Sequence, residues 1–351
     1  MEPMTATLRP STPVEPTLVD DPALDDAERA RRIRVAVRAR SKEVRADHPF
    51  LAHQDLIGAG ILALSALGVV ATAVAYGLGI VAWWVVVPVA AIFMSLAHEI
   101  EHDTIHRMYF TRNRRAQSVM FAVCWALRPY TISPWRRRKL HLLHHEASGT
   151  EMDFEEMGIT NGQRWNLERL LCMVDPLAAF LFHLPSEPEA RRGTIRFIRR
   201  AWFPLTYIAL GLWYAFLGLA VADVVTRGSI TDGGTLGGVF AVLSFLAVTW
   251  IGPNVLRVAC LHFISSNMHY FGDVEAGNIV QQTQVLNRWW LVPAQLFCCN
   301  FGSTHGIHHF VPNDPFYIRQ MTAKRAHQVM RDNGVRFNDL GTFGRANRYT
   351  I

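Results

Sequence analysis

Histidine is the residue type whose number and spacing in this sequence could do chemistry. The chain contains 15 His in 351 residues. Most of them fall into four short groups: His98, His102 and His106; His141, His144 and His145; His262 and His269; His305, His308 and His309. Neutral imidazole is a good ligand for iron, zinc, copper and nickel. The grouping therefore predicts metal sites rather than isolated structural histidines.

The spacing within each group predicts where the side chains point. Residues four apart share one side of a helix, so His102 could converge on one point with either His98 or His106. In the motif His-x-x-His-His, the first two His share a face and the third is rotated away from the second by about 100°. The motif occurs twice, at His141 and at His305. Two such motifs could hold a pair of ions between them.

The number of histidines indicates two ions rather than one. A structural zinc site needs only four ligands and favours Cys, whereas about nine His are available here. An all-nitrogen ligand set with open positions suits iron that binds O2. The five Cys have neither a CxxC nor a zinc-finger spacing, and we interpret them as small buried apolar residues.

The composition predicts that a membrane protein positions these histidines. Half of the residues are hydrophobic and only 18% are charged. A helix crosses a bilayer with about 20 apolar residues, and four runs approach or exceed this length, at 56–80, 81–97, 202–225 and 236–262. The second run is short, so its helix is expected to continue past Ala97 into the polar sequence.

Other segments are predicted to lie outside the bilayer. Residues 119–127 and 167–184 are expected to form helices at the membrane interface, the second broken at Asp175, Pro176 and His183. Residues 1–25 are expected to be disordered. Residues 26–45 are expected to form a basic helix, either on the membrane surface or in solvent.

The distribution of positive charge predicts the topology. The net charge is +6, and the N-terminal region, residues 98–200 and the C-terminal tail carry nearly all the Arg and Lys. Loops rich in Lys and Arg stay in the cytoplasm. The expected fold is therefore an all-α polytopic membrane protein with about four transmembrane helices and a cytoplasmic histidine-rich metal cap. No nucleic-acid-binding module interrupts the apolar runs, so nucleic acid is not an expected partner.

The histidine motifs resemble those of the membrane fatty acid desaturase/hydroxylase superfamily, over roughly residues 50–320. His102 and His106 are similar to its first histidine box and His269 to its extra ligand before the third box. The second and third boxes are matched by the two His-x-x-His-His motifs, at His141, His144, His145, His305, His308 and His309. The resemblance implies two non-haem iron ions bound by these His, with O2 as co-substrate. It also divides the chain into an N-terminal cytoplasmic segment (1–50), a membrane domain (51–320) and a C-terminal cytoplasmic tail (321–351).

Two departures from the desaturase pattern leave alternatives open. His98 and His102 form a second possible first box that resembles the alkane hydroxylase form, although the gap from His106 to the second box favours His102 with His106. Acyl-CoA desaturases carry an Asn one turn before the extra His, where this chain has Ser265. Its Asn267-Met-His269-Tyr string is instead similar to that of alkane hydroxylases.

The resemblance implies O2-dependent oxidation of a lipid-like alkyl chain, first of all desaturation of an acyl-lipid or acyl-CoA. The alternatives are hydroxylation or ketolation of an alkane, acyl or isoprenoid substrate, and, from another class, a membrane metal-binding or transport protein. A transporter is disfavoured because its ligands would lie at mid-membrane. The oxidase would need a separate electron donor, such as a ferredoxin, a rubredoxin or a cytochrome b5, docking on the basic face.

Charged and polar residues near the histidines supply further candidates. Asp103, Asn267 and Asp273 are predicted to support ligand His, since a carboxylate can accept the ring N–H that faces away from a metal. Most of the acidic residues at 151–156 are interpreted as a solvated turn. The basic run could contact a lipid headgroup or an electron donor, or could supply interfacial charge; it comprises Arg136, Arg137, Arg138 and Lys139.

Overall fold

The computed structural model describes residues 24–159, 162–231 and 234–350, and over these residues the chain is helical with no β-strand. The disorder predicted for residues 1–25 lies almost entirely outside the described residues. The α-helices are α1 Asp26–Asp47, α2 Gln54–Gly77, α3 Trp83–Ile105, α4 Arg114–Leu127, α5 Pro134–Ala147, α6 Phe154–Met157, α7 Leu167–Val174, α8 Pro176–Phe182, α9 Pro188–Ala201, α10 Leu205–Val225, α11 Gly234–Leu246, α12 Gly252–Met268, α13 Ile279–Gln282, α14 Val292–Leu296, α15 Phe301–Phe310 and α16 Phe316–Asp332.

Four helical segments are long and apolar enough to cross a membrane: α2, α3, α10, and α11 joined to α12. Large apolar side chains such as Leu67 and Val221 are exposed on them, as expected for surfaces that face lipid rather than water. The predicted fold class, an all-α membrane protein with four spanning helices, is confirmed.

The second spanning helix continues past Ala97, as predicted. α3 ends at Ile105, and every residue from Ala97 to Ile105 is buried. Its C-terminal end is polar because it enters protein rather than lipid or solvent. This extension places His98 and His102 on a continuous, rigid helix.

The fourth span contains an irregular turn. One turn of π-helix, Ala247–Ile251, joins α11 to α12, and the complete helical segment has 35 residues. At 1.5 Å per residue it is about 52 Å long, well beyond the roughly 30 Å of a hydrocarbon core. Its C-terminal part therefore extends out of the bilayer and ends next to His269.

The helices between α3 and α10, together with those after α12, form a cap over one end of the four spans. Helix α4 buries Met120, Phe121 and Cys124 in this cap. The break predicted at Asp175 is confirmed: α7 ends there, and the Asp175 carboxylate accepts a hydrogen bond from the Ala178 N–H at 2.8 Å, which starts α8.

Helix α1 forms as predicted, but its apolar face meets neither lipid nor solvent. Ile33 and Val37 are fully buried and pack with Ile307 of α15 and Met330 of α16. Ile33 and Val37 therefore contact the cap, whereas Val35, on another face of the helix, is exposed. The apolar residues on α1 pack against an apolar face of α16, which lies nearly three hundred residues later in the sequence.

The C-terminal segment is part of the cap. The boundary predicted at residue 320 falls inside α16, which packs against α1 and α15. Further on, the Asn347 side chain donates to the His269 carbonyl oxygen at 3.1 Å, and the Tyr349 N–H donates to Asp273 at 2.7 Å. The last residues therefore hold the loop that follows α12.

Candidate metal centre

Eight histidines form two separate groups that could each hold a metal ion. Within each group, one ring nitrogen from each residue lies within 4.8 Å of the others. Cluster A consists of His102, His106, His141 and His308; cluster B consists of His144, His269, His305 and His309. All are buried except His106, which is half-buried. Three separate parts of the chain supply each cluster, so both clusters depend on the folded cap.

The distances between ring nitrogens fit metal coordination. In cluster A, His106 Nε2 lies 3.0 Å from His141 Nε2 and 3.1 Å from His308 Nε2. In cluster B, His309 Nε2 lies 3.3 Å from His305 Nε2 and 3.4 Å from His269 Nε2. Ligand nitrogens about 2.1 Å from one ion, at angles of 90–110°, are separated by about 3.0–3.4 Å. The convergence of so many Nε2 atoms therefore suits one ion in each cluster.

Each His-x-x-His-His motif serves both clusters, as predicted. The division within the motif was predicted wrongly, because the first and second His do not go together. His141 belongs to cluster A and His144 to cluster B, while His305 shares cluster B with His309. Residues four apart differ by about 40° around a helix and residues three apart by about 60°. The first and third His of the motif are therefore better aligned.

His145 and His98 lie outside the two groups of four. His145 borders cluster A, since its Nε2 is 2.9 Å from His308 Nε2 and 3.2 Å from His141 Nε2. Its ring also faces His309, with ring centroids 4.9 Å apart, so it stands between the clusters. His98 is buried one turn below His102, beside Phe301. This arrangement favours His102 with His106 as the first histidine box.

A cavity of about 550 Å³ lies directly beneath the clusters. His102, His141 and His305 contribute to its wall nearest the clusters. Apolar side chains line much of the remainder, among them Phe180, Phe197, Ile198, Leu261 and Phe301. A largely apolar cavity that reaches the metal-binding side chains is suited to an alkyl chain.

The whole region containing the clusters matches one protein family. The model of the fatty acid desaturase family matches residues 78–341, which is more than half of the chain. The chain belongs to the fatty acid desaturase family. No curated protein matches it significantly. Membership in this family makes it an oxidoreductase that acts on lipid chains, and the predicted resemblance is confirmed.

In this desaturase-family chain, three carboxylates contact histidine rings at Nδ1, on the side away from the clusters. His141 Nδ1 is 2.8 Å from Glu155, and His144 Nδ1 is 2.8 Å from Asp153. His269 Nδ1 is 3.0 Å from the Ser265 carbonyl oxygen and 3.3 Å from Glu156. In each of these rings Nε2 faces the cluster and Nδ1 faces a carboxylate. Such contacts fix ring orientation and tautomer in metal sites.

The interpretation of residues 151–156 as mostly solvated is therefore wrong. Asp153 is fully buried, and it also accepts hydrogen bonds from the Gly149 and Glu156 N–H groups. These bonds fold the segment into a tight turn followed by α6, and the turn presents its three acids to three different His. The sequence contained a signal for this role. Three acidic residues lie within four positions, shortly after the His-x-x-His-His motif at His141.

The three residues predicted to support ligand His differ in whether they contact a histidine. Asp103 lies 3.4 Å from His102 Nδ1 and also accepts a hydrogen bond from Arg319 at 3.1 Å. For Asp273 the prediction is wrong, because its carboxylate accepts from the backbone N–H of Thr350 and of Tyr349 instead. The Asn267 side-chain amide donates to the Phe263 carbonyl oxygen one turn earlier on α12, at 2.6 Å.

The basic run at 136–139 divides into residues with different surroundings. Arg137 forms ion pairs with Glu101 and Glu155, both at 3.1 Å, so it supports the site from within. Arg136 borders an open surface pocket together with Arg199 and Arg200 of α9. Arg138 is half-buried and Lys139 is exposed.

Burial keeps most of the cap histidines neutral, which is the form that binds metal. It lowers the pKa of His106 to about 2 and that of His269 to about 3. His144 differs: burial opposes its protonation, but the adjacent Asp153 outweighs this and raises the pKa of His144 to about 9.

Proposed function

We propose that this chain is a membrane diiron oxidase that uses O2 to desaturate a fatty acyl chain. The observation that carries the proposal is the convergence of two four-histidine clusters at the wall of one largely apolar cavity. Two adjacent metal sites beside a space for an alkyl chain suit the oxidation of an unactivated C–H bond.

Each cluster would hold one iron ion, with His145 available to either. When bound, iron supplies the reaction with O2 and the oxidation of the substrate C–H bond. The chain's own residues orient and insulate the site. Glu155, Asp153 and Glu156 fix the imidazole rings of His141, His144 and His269, and Asp153 is placed to hold the remaining proton of His144 on Nδ1, which leaves Nε2 free for a metal.

The cavity would hold the acyl chain and exclude water from the reacting carbon atoms. Its apolar walls come from the spanning helix α12 and from α8 and α9, so a chain can enter from the lipid phase. Hydroxylation or ketolation would use the same cavity and the same clusters. Metal transport is disfavoured because both clusters lie at the ends of spans, in a cap, rather than at mid-membrane.

The clusters and both ends of the chain are proposed to face the cytoplasm, according to the distribution of positive charge. Helix α9 carries Arg191, Arg192, Arg196, Arg199 and Arg200, all exposed. With Arg136 they form a basic surface near the cap. An acidic electron donor of the ferredoxin, rubredoxin or cytochrome b5 type would bind such a surface by charge complementarity.

The test combines metal analysis with lipid analysis. Protein purified in detergent after iron-supplemented expression is expected to contain about two iron ions per chain, one for each cluster. Cells that express it are expected to contain new unsaturated acyl chains, whereas hydroxylated chains would identify the alternative reaction. Zinc alone, or no metal, in the purified protein would contradict the proposal.

A further inference from the structure

We propose that Arg257 binds the carboxylate of the substrate inside the cavity, so that the substrate is a free fatty acid anion rather than a neutral alkane or an ester. The inference rests on the proposed function and specifies its substrate class. Arg257 belongs to α12, is 1% exposed and forms part of the cavity wall. Its Nε and Nη1 atoms are buried and have no hydrogen-bond partner among the described residues.

Each of the other fully buried arginines has at least one partner in the protein, although some of their nitrogen atoms also lack one. Arg128 forms an ion pair with Glu101, and Arg319 contacts both Glu99 and Asp103 at 3.1 Å. Arg169 donates to Gln163, Ser266 and Asn347. A buried charge without a partner is costly and is found where a function requires it. Arg257 is the exception, because it lies against the cavity and no described residue forms an ion pair or hydrogen bond with it.

The surrounding charges do not supply a partner for Arg257. The charged side chains that interact electrostatically with Arg257 are Arg128, Arg137 and Glu101. Glu101 already accepts from both Arg128 and Arg137. The neighbouring Cys298 stays a neutral thiol, since burial raises its pKa well above the usual value. This part of the cavity therefore has an unbalanced positive charge.

The guanidinium of Arg257 favours a carboxylate over a phosphate, an ester or an alkane. Its planar fork donates two parallel hydrogen bonds that match a carboxylate or a phosphate. Because Glu101 and Glu155 together balance Arg128 and Arg137, one positive charge, that of Arg257, is left over. One charge balances a carboxylate monoanion, whereas a phosphate dianion would remain partly uncompensated. A neutral ester or alkane would leave the guanidinium without a partner.

Helix α9 favours the same class of substrate. Gly193, Thr194, Phe197 and Ile198 line the cavity, and their spacing places them on one face of the helix. Most of its five exposed Arg project from the opposite face. Anionic amphiphiles are attracted to such a surface, and the apolar face of α9 is in contact with the cavity where the alkyl chain would lie.

The experiment compares binding of hexadecanoic acid and methyl hexadecanoate to the full-length protein in detergent, at an alkaline pH where the acid is ionised. Displacement of a fluorescent fatty acid gives both dissociation constants. The wild-type protein is expected to bind the acid roughly tenfold to a hundredfold more tightly than the ester, as charged hydrogen bonds typically allow. Arg257→Met is expected to bind both equally, and Arg257→Lys to keep part of the preference.

Arg38→Met is the matched control, because it removes an exposed Arg of α1, away from the cavity and from α9, and is expected to keep the preference. Folding is monitored by thermal unfolding. Without ligand, Arg257→Met is expected to unfold at the same or a higher temperature than wild type, because it removes an unpaired buried charge. A lower unfolding temperature without ligand would show that the chain itself satisfies Arg257 and would overturn the inference.

Equal wild-type binding of acid and ester, or a preference that survives in Arg257→Met, would also overturn it. Tighter binding of hexadecyl phosphate than of the acid would overturn the choice of a carboxylate. Iron content measured in the same samples separates the two proposals. A charge-dependent preference in protein that cannot hold iron would refute only the oxidase, whereas iron-loaded, active protein without the preference would refute only the role of Arg257.

Discussion

Cluster A and cluster B use the same residue type but are held by different parts of the molecule. Cluster A includes His102 on the spanning helix α3, and Asp103 connects that helix to Arg319 of α16. Cluster B includes His269, which follows α12 in a loop held by the C-terminal segment. Cluster A is therefore positioned mainly by a membrane helix, and cluster B mainly by the cap. The two sites should respond differently to changes in these supports.

The largest effect is expected from the adjacent residues His308 and His309, which contribute to different clusters. Changing either to Ala is expected to reduce oxidation more than about 100-fold, since even the outer partners of metal ligands contribute about 10–100-fold. Each variant is expected to retain roughly one iron per chain, as measured by elemental analysis. His327→Ala is the control, because His327 is buried but bonds only to the Ser303 carbonyl oxygen. Full iron content in His308→Ala or His309→Ala would disprove separate sites.

Asp153→Asn is expected to weaken cluster B alone. The carboxylate holds His144 Nδ1 at 2.8 Å, and loss of such a partner typically reduces metal affinity or activity about 10–100-fold. Asp273→Asn is the matched control, since Asp273 bonds to the C-terminal backbone rather than to a histidine. Metal titration of both variants checks this. Equal losses in the two variants would contradict the assigned role of Asp153.

Arg319→Met is expected to destabilise the support of cluster A. The guanidinium contacts Glu99 and Asp103, both buried on α3, and removing one partner of a buried ion pair costs about 3–5 kcal/mol. Thermal unfolding in detergent should show a clear decrease in midpoint. Lys324→Met, in the same helix but exposed, should unfold like the wild-type protein. If both variants unfold alike, the link between α16 and α3 is not a stabilising one.

The high pKa of His144 predicts a pH dependence of the metal-free protein. Because the folded pKa is raised from 6.5 to about 9, its contribution to stability is complete below about pH 6.5 and is lost as the pH rises through 9. The loss is up to roughly 3 kcal/mol. Metal binding requires neutral imidazole, so the affinity of cluster B for metal should rise over the same range. Unfolding of chelator-treated protein at several pH values tests this, and a flat profile would contradict it.

The smallest effect is expected within the basic run. Lys139→Ala changes an exposed side chain and should alter the free energy of unfolding by less than about 0.5 kcal/mol.

Arg137→Met, in the same run, removes a partner from buried Glu101 and from Glu155, which holds His141 of cluster A. It should reduce both stability and iron content. Similar behaviour of the two variants would mean that the run acts only as interfacial charge.

The features that the sequence predicts correctly depend on local patterns. The four spans follow from lengths of apolar sequence, and the convergence of His102 with His106 follows from a spacing of four on α3. The continuation of α3 past Ala97 was predictable because its apolar run alone is short for a membrane crossing. Each of these inferences needs only one helix at a time.

The features that were missed depend on contacts between distant segments. Asp153 and Asp273 are both acidic residues in turns close to histidines, and only the folded cap determines that Asp153 faces His144 while Asp273 faces the C-terminal backbone. Similarly, burial of Ile33 depends on a face of α16. Sequence spacing carries no information about such pairings.

The π-helical turn at Ala247–Ile251 determines which side of α12 faces the cavity, because α12 follows it directly in the fourth span. One additional residue in a turn rotates everything that follows by about 100°. Downstream, Asn254, Arg257, Leu261 and Ser265 lie on one buried face of α12. Deleting a single residue from the turn would rotate this whole face together. The number of residues in this turn thus determines which side chains of α12 line the cavity. The identity of any one side chain in the turn does not.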